Sequence, residues 1–194
     1  MLNERRKVII VTDGDRLAGR TVKVAAKNVG ARFISLTTGN PTPISGAEVV
    51  KLIKKTPFDP VVILVDDKGK CGFGQGENIL KYVAEHPEIE VIGAVAVASN
   101  TSHTKGIKVD QSVARDCSIV SGPVNKLGIP EKPGHKYLEG DTVDILAKLD
   151  IPVVIGTGDT GKMDFADDYC NGAPVTTKAL LEIINRGIQE KTTD

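Results

Sequence analysis

Five short runs of β-branched and aliphatic residues, Val8 to Thr12, Arg32 to Leu36, Val61 to Val65, Val91 to Ala98 and Pro152 to Ile155, punctuate the chain. Most are separated by segments whose apolar residues recur at helical spacing, such as Leu17, Val22, Ala25, Ala26 and Val29, or Ile79, Leu80, Val83 and Ala84. A run that is apolar at nearly every position suits a strand covered on both faces rather than on one. Strands that alternate with helices are laid down parallel, through right-handed crossovers. The expected fold is α/β: a three-layer, doubly wound, mostly parallel five-stranded sheet of Rossmann or flavodoxin-like kind, in a single domain spanning residues 1–194. At 194 residues such a domain buries most of its apolar surface without disulfides or metal.

Local signals agree with this pattern. Ser45-Gly-Ala-Glu48 fits a capping box before Val49, Leu52 and Ile53; Asp15 and Asp141 are candidate N-caps for the first and fourth helices, and Thr176 or Thr177 for the last. Gly30 suits the position just past the first helix, where φ is often positive. Segment 102–139 breaks the rhythm. Val109, Val113, Ile119 and Val120 flank a polar centre at Ala114 to Ser118, which predicts a β-hairpin or edge extension, and the Pro- and Gly-rich stretch after it predicts loop. It is expected to be an excursion from the one domain, with 187–194 a flexible tail.

The polar segments at the ends of these runs carry the chemistry. The five exits read TDGD, TTGNPTPIS, DDKGKCGFGQGE, SNTSHT and GTGDTGKMDFADD. In a parallel sheet these exits share one edge, the edge at which open α/β folds bind ligands. Candidate carboxylates for a hard cation such as Ca²⁺ or Mg²⁺ are Asp13, Asp15, Asp66, Asp67 and Asp159. Aspartates also cap helices and end strands, so both roles stand open for them. Candidate anion or ligand contacts are Gly14, Asn40, Gly72, Gly74, Gly76, Ser99, Asn100, Gly158 and Lys162. The glycines before the third helix would let backbone N–H groups converge on an anion at its N-terminus, or simply form a flexible turn.

Gly156 to Lys162 resembles a nucleotide phosphate loop, but Met163 stands where a Ser or Thr should bind Mg²⁺, and Asp159 would face phosphate oxygens. Gly72-Phe-Gly-Gln-Gly76 has the wrong spacing and place for a dinucleotide fingerprint. His86, His103 and His135 read as helix-end or loop residues, and no Ser, His and Asp set carries a nucleophile motif. The 25 basic and 25 acidic residues cancel, with no basic track along the sequence, which argues against nucleic acid as a ligand. Cys71, Cys117 and Cys170 are odd in number and lack metal or redox spacing, as expected of reduced thiols inside a cell. Neither a signal-peptide core nor a membrane span is visible, so any membrane role would be peripheral.

VIIVTDGD, SLTTGNPTPISG, FDPVVILVDDKGKCGFGQGE, HPEIEVIGAVAVASNT, LDIPVVIGTGDTGKMD and NGAPVTTKAL, in that order over most of residues 7 to 182, resemble the soluble form of stage V sporulation protein AE. That resemblance implies a non-enzymatic accessory of the SpoVA machinery, which moves dipicolinic acid with calcium into the forming spore and out at germination. It implies membrane-embedded and soluble SpoVA proteins as partners and a place in the forespore or spore, peripheral to the inner membrane. Dipicolinate or its calcium complex would then be a ligand, glycine N–H groups facing its carboxylates and Asp13, Asp66 or Asp67 facing calcium. The family supplies no catalytic residues to carry over. A competing reading is a metal-dependent, Toprim-like enzyme on a phosphate-containing substrate, with Asp13 after the first strand and Asp66-Asp67 after a later one. Short edge strands would also permit a homodimer.

Overall fold

Each of the five apolar runs overlaps a strand. The computed structural model describes residues 4–67, 74–99, 105–140 and 142–189. In chain order these form β1 (Arg6–Val11), α1 (Arg16–Asn28), β2 (Arg32–Phe33), α2 (Gly46–Lys55), β3 (Val61–Leu64), α3 (Gln75–Ala84), β4 (Ile89–Val97), β5 (Ile107–Lys108), β6 (Gln111–Val113), β7 (Ile119–Ser121), β8 (Tyr137–Leu138), α4 (Val143–Leu146), β9 (Val154–Thr157) and α5 (Pro174–Gln189). Of the expected tail, residues 187–189 continue α5, and the rest lies outside the described residues.

The main sheet has seven strands rather than five, in the order β2-β3-β1-β4-β9-β6-β7. Every pairing is parallel except β6 with β7. The predicted hairpin is therefore present, but it does more than decorate an edge: β6 joins β9 in register from Gln111↔Ile155 to Val113↔Thr157. β5 and β8 make a separate antiparallel pair. The order of the first five strands also departs from both expected arrangements, because β2 lies outside β3 rather than beside β1. The chain crosses from β3 over β1 to reach β4, and the helix that follows β1 lies on one face of the sheet while the helix that follows β3 lies on the other.

Two apolar layers sandwich the sheet. On one face, Val22, Ala25 and Ala26 of α1 and Val175, Ala179, Leu180 and Ile183 of α5 pack on Ile9, Val11, Leu64, Val95 and Ile155. On the other, α2, α3 and α4 bring Val49, Ile53, Leu80, Val83 and Leu146 against Val8, Ile10, Ile63 and Ala94. Ile9, Ile10, Ile63 and Leu64 are fully buried, each worth roughly 1.5–3 kcal/mol of hydrophobic stabilisation. That two-sided burial is the reason these strands lack polar alternation.

The caps read from sequence are partly confirmed. Asp15 accepts a hydrogen bond from the Ala18 N–H at 2.8 Å, and Ser45 and Glu48 form both arms of a capping box. Gly30 has φ +71° directly after α1. Thr176 and Thr177, by contrast, lie inside α5, which starts with Pro174. A proline at that first position costs no hydrogen bond, since its N–H would have been unpaired anyway. Asp141 lies outside the described residues; α4 is a single short turn entered through Thr142 at φ +64°.

Candidate functional site

The polar exits meet along the carboxyl edge of the sheet. Gly39 N–H donates to Gly14 O at 2.7 Å, tying the exit of β2 to that of β1. Thr42 N–H donates to Asp66 O at 3.0 Å and Thr42 Oγ1 accepts from Asp66 N–H at 2.9 Å, tying the same loop to the exit of β3. Thr12 Oγ1 accepts from Val97 N–H at 3.0 Å, and Ala98 N–H donates to Thr157 O at 2.9 Å, which extends the β1–β4–β9 ladder past the strand ends. Because Val11 is in register with Val95, and Val97 with Thr157, Asp13, Val97 and Thr157 fall in one row across three strands, on the α1 and α5 face.

Lys162 closes this row. Its Nζ lies 2.8 Å from Asp15 Oδ2 and 2.8 Å from Asp159 Oδ1, bridging the exits of β1 and β9 above the end of β4. Burial works against the ammonium, but the two carboxylate hydrogen bonds outweigh it and hold its pKa above the ordinary lysine range. Asp15 is likewise buried in part, yet the hydrogen bond from Lys162 and the Ala18 N–H bring its carboxyl below the usual value. Asp13 goes the other way. Burial, then repulsion from Asp15 and Asp159, push its pKa up to about 7, against weaker opposing effects of the Asp15 N–H and Lys162. The residue keeps some exposed surface, but its Oδ2 is closed to solvent and has no hydrogen-bond partner. With Asp13 ionised the site holds three carboxylates to one ammonium.

The remaining candidates occupy other positions. Asp67 accepts from the Gly76 N–H and, at 2.9 Å, from the Glu77 N–H, so the glycine-rich entry to α3 does bind an anion, and that anion is the chain's own Asp67. Gly74 packs on the same carboxylate; a Cβ there would lie 2.3 Å from Asp67 Oδ1. Gly158 packs under the Lys126–Gly128 turn, where a Cβ would meet Gly128 N at 2.5 Å, and its neighbour Asp159 donates its N–H to Lys126 O at 2.8 Å. Asn40 is exposed, in the loop that Gly39 and Thr42 tie to the β1 and β3 exits; Ser99 N–H is bound to Glu139 O at 3.0 Å. Gly72, Asn100, Cys71 and His103 lie outside the described residues. Cys117 and Cys170 are free thiols. Among the described residues no group of three or more His, Cys, Asp or Glu side chains is arranged to hold a metal ion, and the Toprim-like alternative finds no support.

One organising residue escapes a sequence reading, and so does the packing role of a second, Gly14, expected as a ligand contact. Asp167, fully buried, accepts from Gly161 N–H at 3.0 Å, Thr176 N–H at 2.9 Å and Thr176 Oγ1 at 2.6 Å, which pins the β9 exit to the start of α5. Its nine-residue distance from Thr176 exceeds any capping motif. Gly14 is the second, for its lack of a side chain. A Cβ there would stand 2.3 Å from Gly39 O and 2.5 Å from Asp66 Cβ. Gly14→Ala is expected to cost about 2–3 kcal/mol in urea unfolding, since the three exits that meet there must separate.

The architecture defines an α/β protein with helices on both faces of a mostly parallel seven-stranded sheet and a polar, predominantly acidic cluster at its carboxyl edge. Residues 7–187 match the family model described as stage V sporulation protein AE1, so the chain belongs to that family and has a role in sporulation. No curated protein and no solved structure shows significant similarity to it. No helix among the described residues is long and apolar enough to cross a membrane.

Proposed function

We propose that the protein is a non-enzymatic accessory of the SpoVA machinery and meets calcium dipicolinate at the Asp13, Asp15, Asp159 and Lys162 edge. The family match across 7–187 carries the sporulation role. The chemistry of the edge supports the form of the ligand. A free dicarboxylate approaching three carboxylates and one lysine is repelled, whereas its calcium complex brings cationic character to Asp13 and leaves carboxylate oxygens for Lys162. Asp13 is suited to this exchange: its buried oxygen lacks a partner, and a cation supplies one.

Isothermal calorimetry with calcium, dipicolinate and the two together tests this directly. Heat is expected only for the mixture, saturating in the millimolar range or below, and reduced at least about fivefold by Asp159→Asn. Absence of heat from the mixture would remove ligand binding from the function.

A further inference from the structure

Phe165 is the most exposed large apolar side chain among the described residues, at 79 %. The turn after β9 puts it there. Met163, Asp164 and Phe165 all have positive φ, so the backbone winds left-handed through three non-glycine residues, burying Met163 and leaving the next two side chains in solvent. Strain of this kind concentrates where a conformation serves binding rather than stability. Arg115 holds the turn from its flank, 3.2 Å from Asp164 Oδ2, while 68 % of the Asp164 side chain stays exposed. Asp168, half-buried, follows three residues after the phenylalanine. The product is an aromatic knob flanked by carboxylates at the carboxyl edge. It lies toward the α1 and α5 face, where Met163 and Ala166 join the core.

A hollow of the complementary kind lies elsewhere on the molecule. Between α2 and α3 is a groove of about 380 Å³, lined by Ala47, Val50, Tyr82 and His86 and rimmed by lysines, with no acidic residue in its lining. A Cβ on Gly46 would lie 2.8 Å from Tyr82 Cβ, so the glycine lets Tyr82 press onto the first turn of α2 while 47 % of the tyrosine stays exposed. The Tyr82 and His86 rings stand 5.9 Å apart at 48° and form an aromatic wall. Of the rim lysines, Lys54 is engaged by Glu88 at 2.6 Å, whereas Lys51 and Lys55 form no ion pair among the described residues. Glu88 O also accepts the Arg6 N–H at 2.9 Å, which sets this end of the groove beside the start of β1. Knob and groove thus occupy opposite edges and opposite faces of the sheet, and no copy can fill its own groove.

From this we infer that the chain associates with itself head to tail, Phe165 of one copy entering the α2–α3 groove of the next, with Asp164 and Asp168 set against Lys51 and Lys55. The ring leaves water for a hollow whose aromatic wall offers edge-on or offset stacking. The carboxylates meet the two rim ammonium groups that lack partners within their own copy, so charge as well as shape selects this pairing. The contact is heterologous: each copy keeps one free knob and one free groove, and association continues as an open chain instead of stopping at a closed dimer. One ring and its rim cover far less than the roughly 800 Å² that each partner buries in a stable interface, so the dissociation constant per contact is expected at about 10–100 μM. Neither calcium nor the acidic cluster takes part.

The test is sedimentation velocity of the full chain from about 10 to 500 μM, at low salt and free of divalent cations. The weight-average sedimentation coefficient is expected to rise with concentration and pass the dimer value, and to fall back at about 0.5 M salt. Phe165→Ala removes the knob; Lys51→Glu with Lys55→Glu spoils the groove. Each variant alone should stay monomeric over the same range. Mixed, they should pair, because the first keeps an intact groove and the second an intact knob, and growth should stop at the heterodimer. All three side chains are on the surface, and an unchanged urea midpoint shows that each variant is folded. A parent that stays monomeric, a plateau at the dimer, association unchanged in either variant, or no pairing in the mixture would overturn the inference. Neither variant replaces Asp13, Asp15, Asp159 or Lys162, so calorimetry on the monomeric variants still reads the other edge and the two readings fail separately.

Discussion

Replacing Asp13 by Asn is expected to make the protein more stable at pH 8, by about 2–4 kcal/mol, and to leave it unchanged near pH 3.5. In the unfolded chain this carboxyl titrates near 3.8; in the fold it titrates near 7. Between those values the folded protein holds a proton that the unfolded chain has released. The contribution of Asp13 to stability is therefore fully present below 3.8, is lost as pH rises, and is gone above 7. Asn keeps the shape, accepts the Asp15 N–H and carries no charge to bury. Asp15 titrates in the opposite sense, its lowered pKa adding stability above the usual carboxylate range and losing it below. The comparison of mutant with parent across pH, by urea unfolding, isolates Asp13 from that background. A difference that does not grow between pH 4 and pH 8 would show that the carboxyl is not held protonated by its surroundings.

Such a gain would also bear on function. A carboxylate kept where it weakens the fold above neutral pH is retained for something other than stability, and strongly perturbed acids in clefts concentrate at functional sites. Asp13→Asn is then expected to abolish calcium-dependent binding while improving the fold, a combination that general destabilisation cannot produce.

Much of this molecule is legible in its sequence where the signal is local. Val61 to Leu64 is apolar throughout and fully buried, and the Ser45 box and the Asp15 cap need only neighbours three residues away. The extra strands are not legible, because β6 is a three-residue segment whose place is set by pairing with β9, more than 40 residues later. Strand order is similarly invisible, being a choice among right-handed crossovers that the same pattern permits equally. At the site, the convergence of exits follows from parallel topology, but the identity of partners does not. Lys162 reads as a phosphate-loop lysine and instead neutralises Asp15, 147 residues distant. The anion expected at the glycine-rich start of α3 is Asp67, folded back from the preceding strand exit.

Asp167→Ala should produce the largest loss of stability, about 3–5 kcal/mol, because one fully buried carboxylate serves three donors. Alanine leaves the Gly161 N–H, the Thr176 N–H and the Thr176 hydroxyl without that acceptor, in a place with no exposed surface. Burial raises the pKa of Asp167 despite these bonds, so removing the charge returns part of the cost, and the expected range already lies below the sum of three orphaned groups. Asn, with a single acceptor oxygen, should recover some of the deficit but not all of it. The damage should spread to the site. Gly161 at φ +77° begins the turn that holds Lys162, and Met163, Asp164 and Phe165 after it all have positive φ, a conformation that costs roughly 1–2 kcal/mol per non-glycine residue. That turn persists only while Asp167 fastens its far end to α5. Amide exchange should therefore show residues 158–168 opening first in Asp167→Asn, ahead of β1 and β4; uniform loss of protection across the sheet would mean that Asp167 supports the core and not this loop.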